Sequence, residues 1–161
     1  ARLKARGDWD NTILLVTGDH GEDLFEDGFL GHGHLIDGRQ NATLLVANRP
    51  AILPRGPVGL ADYRAIIAAA VQGGPPPEPL AMPFMHIGSL DAPTMIGLAG
   101  SGHTLTSLRL DTGEACFFEQ QRCLPYNRLS GTDRARADAL VARWGSERWR
   151  EHQRGITATR P

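Results

Sequence analysis

Apolar residues first gather into an unbroken run, Thr12-Ile13-Leu14-Leu15-Val16-Thr17. A run without alternation predicts a strand covered on both faces, as in a parallel sheet. Ala42 to Ala47 (Ala-Thr-Leu-Leu-Val-Ala) predicts a second such strand, stopped by Asn48-Arg49-Pro50. Pro50 to Gly59, broken by Pro54 and Pro57, is a connector. The period then changes. Leu60, Tyr63, Ile66, Ile67, Ala70 and Val71 recur at helical spacing, and Gly73-Gly74 ends the helix they predict. Pro75 to Pro79 reads as a stiff linker. Beyond it, Phe84 to Ile87, Met95 to Leu98 and Thr104 to Leu110 are predicted strands, and Asp111-Thr112-Gly113 is a hairpin turn before Ala115. A closing helix is predicted from Asp133 to Gln153, with Thr132 as its cap and Ala137, Leu140, Val141, Trp144 and Arg148 on one side.

This order predicts an α/β fold built on a partial parallel sheet, with a small β-rich tail and a closing helix. The whole reads as a single partial domain: an α/β part over 1–74, a β-rich part over 75–131 and the helix over 132–155. The opening Ala1-Arg2-Leu3-Lys4-Ala5-Arg6 has no initiator methionine and no apolar leader, and resembles the last turns of a helix. It sets the expectation of the carboxyl-terminal part of a longer protein.

The polar stretch between the first two strands carries the chemistry. Gly21 to Gly38 is rich in glycine and acid, a long loop of the kind that is usually functional. Asp19 and His20 stand where the first strand runs out, and His32 and His34 follow in Gly31-His32-Gly33-His34. A carboxylate with two or three imidazoles is a donor set for zinc or manganese. Neighbours in a regular strand point to opposite faces. Asp19 and His20 therefore reach one ion only if the strand breaks, which Gly18 and Gly21 allow. His32 and His34 alternate, so an extended backbone puts both on one face. Asp19, His20 and His34 are the candidate metal ligands, and His32 is the candidate catalytic contact to the transferred group. Glu22, Asp23, Glu26 and Asp27 read as a solvated acidic surface.

Composition narrows the remainder. With 161 residues, 41% of them apolar, and a net charge of −1, nothing steers the chain globally to nucleic acid or anionic membrane. No apolar stretch approaches the roughly 20 residues that span a bilayer, so any membrane contact would come through a segment upstream of Ala1. Cys116 and Cys123 fit neither a redox pair nor a zinc framework, which leaves a short-loop disulfide or two free thiols. His86, His103 and His152 read as structural, Trp144 and Trp149 as packing, and the arginines of the last helix as solvated surface.

Thr12 to Glu22, followed by Leu24, Glu26, Gly28 and Gly31-His32-Gly33, resembles the late metal-ligand strand of the sulfatase family, within the alkaline-phosphatase superfamily. The strand at Thr43-Leu44-Leu45-Val46 continues the likeness, which covers roughly Asp10 to Pro50. The resemblance implies that Asp19 and His20 bind a divalent cation (zinc, manganese or calcium) that activates a Ser, Thr or formylglycine nucleophile. It implies that His32 contacts a second metal or the oxygens of the transferred group. The substrate it implies is a sulfate or phosphate ester of a small molecule, lipid or glycan. Many sulfatases have lysine at the position of His32, whereas phosphoethanolamine transferases have histidine, which tilts the chemistry towards phosphoryl transfer. The family's nucleophile and first carboxylates lie upstream of this strand, and no Cys-x-Pro-x-Arg occurs here. Where relatives show a tyrosine and acids after the last histidine, this chain has Leu35-Ile36-Asp37. The expectation is half a site, inactive without the missing amino-terminal part of the same chain. A membrane-anchored phosphoethanolamine-type phosphotransferase, or a degenerate, non-catalytic module, is the alternative. Membrane-anchored members of the superfamily favour an extracytoplasmic location.

Overall fold

The computed structural model describes residues 2–26, 28–79 and 82–158; Ala1 and Asp27 lie outside them. The elements are α1 (Arg2–Ala5), β1 (Leu15–Thr17), β2 (Asp23–Leu24), β3 (Leu30–Gly31), α2 (Gly38–Asn41), β4 (Leu45–Ala47), α3 (Tyr63–Gln72), β5 (Phe84–Ser89), β6 (Ala92–Gly100), β7 (Thr104–Arg109), β8 (Glu114–Phe117), β9 (Arg122–Pro125) and α4 (Gly131–Ala158).

Strands β5 to β9 form a five-stranded antiparallel sheet in chain order, each strand pairing with the next. Alternation gives the sheet two apolar faces. On one, Ile96, Leu108, Ala115 and Phe117 pack with Leu129 and with Ala137 and Leu140 of α4. Val141 and Trp144 extend that contact, and the Trp144 indole N–H donates to the Leu90 carbonyl at 2.8 Å. On the other face, Met95 and Leu105 receive Ile36 from the glycine-rich loop. The sheet is thus a central layer, with the closing helix behind it and the histidine-bearing segment in front. Cys116 and Cys123, directly opposed on β8 and β9, form a disulfide with their Cα atoms 4.1 Å apart.

The basic side of α4 is paired. Arg134 bonds Asp138, Arg143 and Arg150 bond Glu147, and Arg148 reaches Asp91 on the β5–β6 turn. Arg136 clasps Glu119 and donates to Thr106 Oγ1 at 3.0 Å. Two expectations for this helix fail. It begins at Gly131, so Thr132 lies inside the first turn and does not cap it. Trp149 is 65% exposed, since one residue past Arg148 the helix turns it away from the side that carries Trp144.

The parallel sheet is the larger correction. Among the described residues β1 and β4 pair only with each other, antiparallel, Val16 opposite Val46. A parallel partner needs a crossover long enough to pack a helix on the sheet. Between β1 and β4 the one helix is the single turn α2, which holds the loop instead. The chain therefore doubles back, and Gly18 N–H donates to Thr43 Oγ1 at 3.1 Å as the loop closes. Leu14, Val16, Leu44 and Val46 remain exposed. Helix α3 ends where its glycines predict, with Gly73 left-handed (φ 70°), yet only Ile66 and Ala70 are buried; Ile67 and Val71 are exposed.

Two outcomes check this account. A Cβ on Gly97 would lie 2.4 Å from Ile36 Cγ2. Gly97→Val should therefore lower stability in urea unfolding by about 1–3 kcal/mol, and adding Ile36→Ala should recover part of the loss. The Arg136 guanidinium holds the Glu119 carboxyl at about 2, below its ordinary 4.5. The stabilisation from that depressed carboxylate is complete above 4.5 and lost as pH falls towards 2. The stability difference between wild type and Glu119→Gln should shrink over that window and stay constant above it.

Candidate metal centre

The segment that leaves β1 is shaped by two close approaches. A Cβ on Gly18 would lie 2.3 Å from Thr43 Oγ1 and 3.2 Å from the His20 carbonyl oxygen. A Cβ on Gly21 would lie 1.8 Å from the Arg39 carbonyl oxygen, and Gly21 N–H donates to the Gln40 carbonyl at 2.9 Å. The glycines flanking Asp19-His20 thus let α2 and Thr43 press against this backbone, besides freeing it to turn. The chain then makes the β2–β3 hairpin, with Asp23 opposite Gly31 and Leu24 opposite Leu30. That register carries His32 back beside Glu22.

Three side chains converge. The His20 and His32 rings stack with centroids 3.6 Å apart and planes tilted 32°. His32 Nδ1 lies 3.3 and 3.4 Å from the two Glu22 carboxylate oxygens. One donor atom from each of His20, Glu22 and His32 falls within 4.8 Å of the other two. His20 Nδ1 is 2.8 Å from the Gly21 carbonyl oxygen, which can only accept. In the neutral ring this contact puts the proton on Nδ1 and leaves Nε2 with its lone pair for a ligand.

The other candidates sit around this cluster. Asp19 is adjacent to it: Oδ1 accepts from His20 N at 3.1 Å, and Oδ2 lies 3.6 Å from His20 Nε2. Donor atoms bound together to one zinc at about 2.0–2.2 Å stand at nearly that separation. His34 is outside the three-residue cluster, its ring stacked on Phe29 at 5.7 Å. Glu22, read from sequence as surface, is the residue that completes the group. The signal for it was the symmetry of Glu22-Asp23-Leu24 and Leu30-Gly31-His32 about a glycine-containing turn. A second group, Glu114 with Cys116 and Cys123, has both sulfurs committed to the disulfide.

The loop's far end is fixed from below. Gln40 is buried, and its Oε1 accepts from both His34 N and Leu35 N at 3.1 Å. Buried Asp37 caps α2 by accepting from Arg39 N and Gln40 N at 2.9 and 2.8 Å. Asp37 N–H in turn donates to Asn41 Oδ1 at 2.9 Å. Comparison of the chain with family models, with curated proteins and with solved structures finds no match. Gln40→Leu should strand the two amides it holds, at about 1–3 kcal/mol for each buried donor left unpaired. Denaturant unfolding reads the total, and faster amide exchange at His34 and Leu35 would locate it.

Proposed function

We propose that this chain supplies the cation-holding part of a sulfatase-like hydrolase acting on sulfate or phosphate esters. The observation that carries the reading is the convergence of His20, Glu22 and His32 at the base of one hairpin. Two imidazoles and a carboxylate fit zinc, a borderline cation, better than calcium, which takes six or more oxygens. His20 binds through Nε2, with the Asp19 carboxylate beside it. Glu22 orients His32 or shares the cation with it, and either role draws the second imidazole towards the transferred group. A bound divalent cation would polarise an ester oxygen and stabilise the negative charge that develops on it. In this reading His32, half-exposed at the hairpin base, would hydrogen-bond an oxygen of that group. In this reading the nucleophile comes from the upstream part of the enzyme. The carboxylates and imidazoles of this chain bind and orient.

Calorimetric zinc titration tests the proposal. One zinc per chain should bind, weakly because the site is open and incomplete. His20→Ala and His32→Ala should each weaken it by at least about tenfold, near 1.4 kcal/mol, and Glu22→Gln by less, all with unchanged far-ultraviolet circular dichroism. Equal affinity across the three variants and the wild type would sink the reading.

A further inference from the structure

A row of four residues crosses the front face of the five-stranded sheet: Gly97, Ser107, Cys116 and Cys123. Each stands directly opposite the next, so their side chains share a face, with Cβ atoms of neighbours about 4.5–5.5 Å apart. Gly97 leaves its place to Ile36, and the disulfide closes the other end of the row. Between them Ser107 is 0% exposed, and its Oγ has no hydrogen-bond partner. A hydroxyl buried in that state is destabilising, and in a folded chain it calls for an account.

Cys116 is the neighbour that can use the Ser107 proton. Its sulfur is a weak acceptor in the disulfide and a strong one as a thiolate. Rotation about the serine χ1 aims the hydroxyl at it. Ser107 therefore lacks a partner in the oxidised chain and gains one when the bond opens. Glu114, two residues before Cys116 on the same face, has a carboxylate oxygen within 4.8 Å of both sulfurs and can accept from a freed thiol. Cys123 is exposed and Cys116 is the more buried of the two, so a reductant meets Cys123 first. The strands do not hang on this bond alone. β8 and β9 pair from Glu114–Pro125 to Phe117–Arg122, Arg122 reaches Asp133, and Tyr126 N–H donates to the Gly113 carbonyl at 2.8 Å. Two thiols would stay opposed after reduction, ready to close again.

We infer that Cys116–Cys123 is an exchangeable redox pair, opened by a dithiol through Cys123, with Ser107 as the positioning hydroxyl that receives Cys116. The attacking thiolate forms an S–S bond to Cys123 Sγ, and the Cys116–Cys123 bond breaks. Its electron pair leaves on Cys116, to which the Ser107 hydroxyl donates. The second thiol of the dithiol then displaces Cys123 and closes the reductant's own disulfide. Two electrons pass to the pair, and the two protons of the dithiol end on Cys116 and Cys123. The inference needs no cation and stands apart from the hydrolase reading.

The test equilibrates the intact chain, in a chelating buffer at neutral pH, with mixtures of reduced and oxidised dithiothreitol. Thiols are then alkylated with a mass tag and counted. Wild type should gain two tags in one transition, with unchanged far-ultraviolet circular dichroism. Ser107→Ala should need about a fivefold higher ratio of reduced to oxidised reagent for half-reduction, the worth of one hydrogen bond. Ser107→Thr, which keeps the hydroxyl, should stay close to the wild-type ratio. A merely structural hydroxyl would move urea stability and leave that ratio alone. A pair that resists excess dithiothreitol while the chain stays folded, or a Ser107→Ala ratio equal to that of wild type, would overturn the inference. If Ser107→Ala fails to fold, a pulse of glutathione on the unaltered chain decides. Alkylation and peptide mapping should then find glutathione on Cys123 and the tag on Cys116, and the reverse pattern refutes the inference.

Discussion

The seating of Ile36 on the bare backbone of Gly97 is the contact on which the rest of this structure depends. Ile36 is 1% exposed and fills the place a side chain at Gly97 would occupy. Around it, Met95 and Leu105 supply the apolar surface, and Asp37 and Gln40 turn the following backbone into a capped helical turn. A loop rich in glycine has much conformational entropy to lose on ordering. One buried isoleucine and two buried polar side chains hold its carboxyl end, while the hairpin above leaves Leu24, Phe25, Phe29 and Leu30 exposed. The histidines therefore sit at the boundary between a fixed post and an open finger.

That arrangement explains why the candidate centre is accessible without being loose. His32 is half-exposed, and Glu22 nearly so, yet the backbone beneath them is tied to α2 through Gly21 and Gln40. Shape comes from below and chemistry faces outward. The glycines of Gly18-Asp19-His20-Gly21 serve this division, since any side chain at Gly18 or Gly21 would push the supports away.

Much of the fold was legible as periodicity. The strands at Phe84, Met95 and Thr104, the turn at Asp111-Thr112-Gly113 and the end of α3 at Gly73 are local features, and local chemistry fixes them. Strand direction was not legible, because an unbroken apolar run says that a strand wants cover and not which way its neighbour runs. Thr12 to Thr17 and Ala42 to Ala47 thus pointed to a parallel sheet, whereas the connection between them, long enough for a crossover, folds as a hairpin and a single helical turn and returns β4 antiparallel. His20 and His32 could be selected from spacing and flanking glycines. Glu22 could be reached only through the symmetry of its strand with Leu30-Gly31-His32 about the turn, because its partner is set by hairpin register, a property that no single residue announces. The disulfide was open for a similar reason: only the pairing of β8 with β9 opposes Cys116 to Cys123.

The five-stranded sheet and the β1–β4 ribbon differ in how they treat their borders. In the five-stranded sheet, β9 is stapled by the disulfide and by Arg122 to Asp133 on α4, and β5 is kinked by an irregularity at Ile87 and Gly88. Such devices stop a flat edge from recruiting a foreign strand. The β1–β4 ribbon has neither device among the described residues, and it carries Leu14, Val16, Leu44 and Val46 in the open. Self-association at high concentration would begin at that ribbon, a short strand pair beside the histidines, and leave the large sheet untouched.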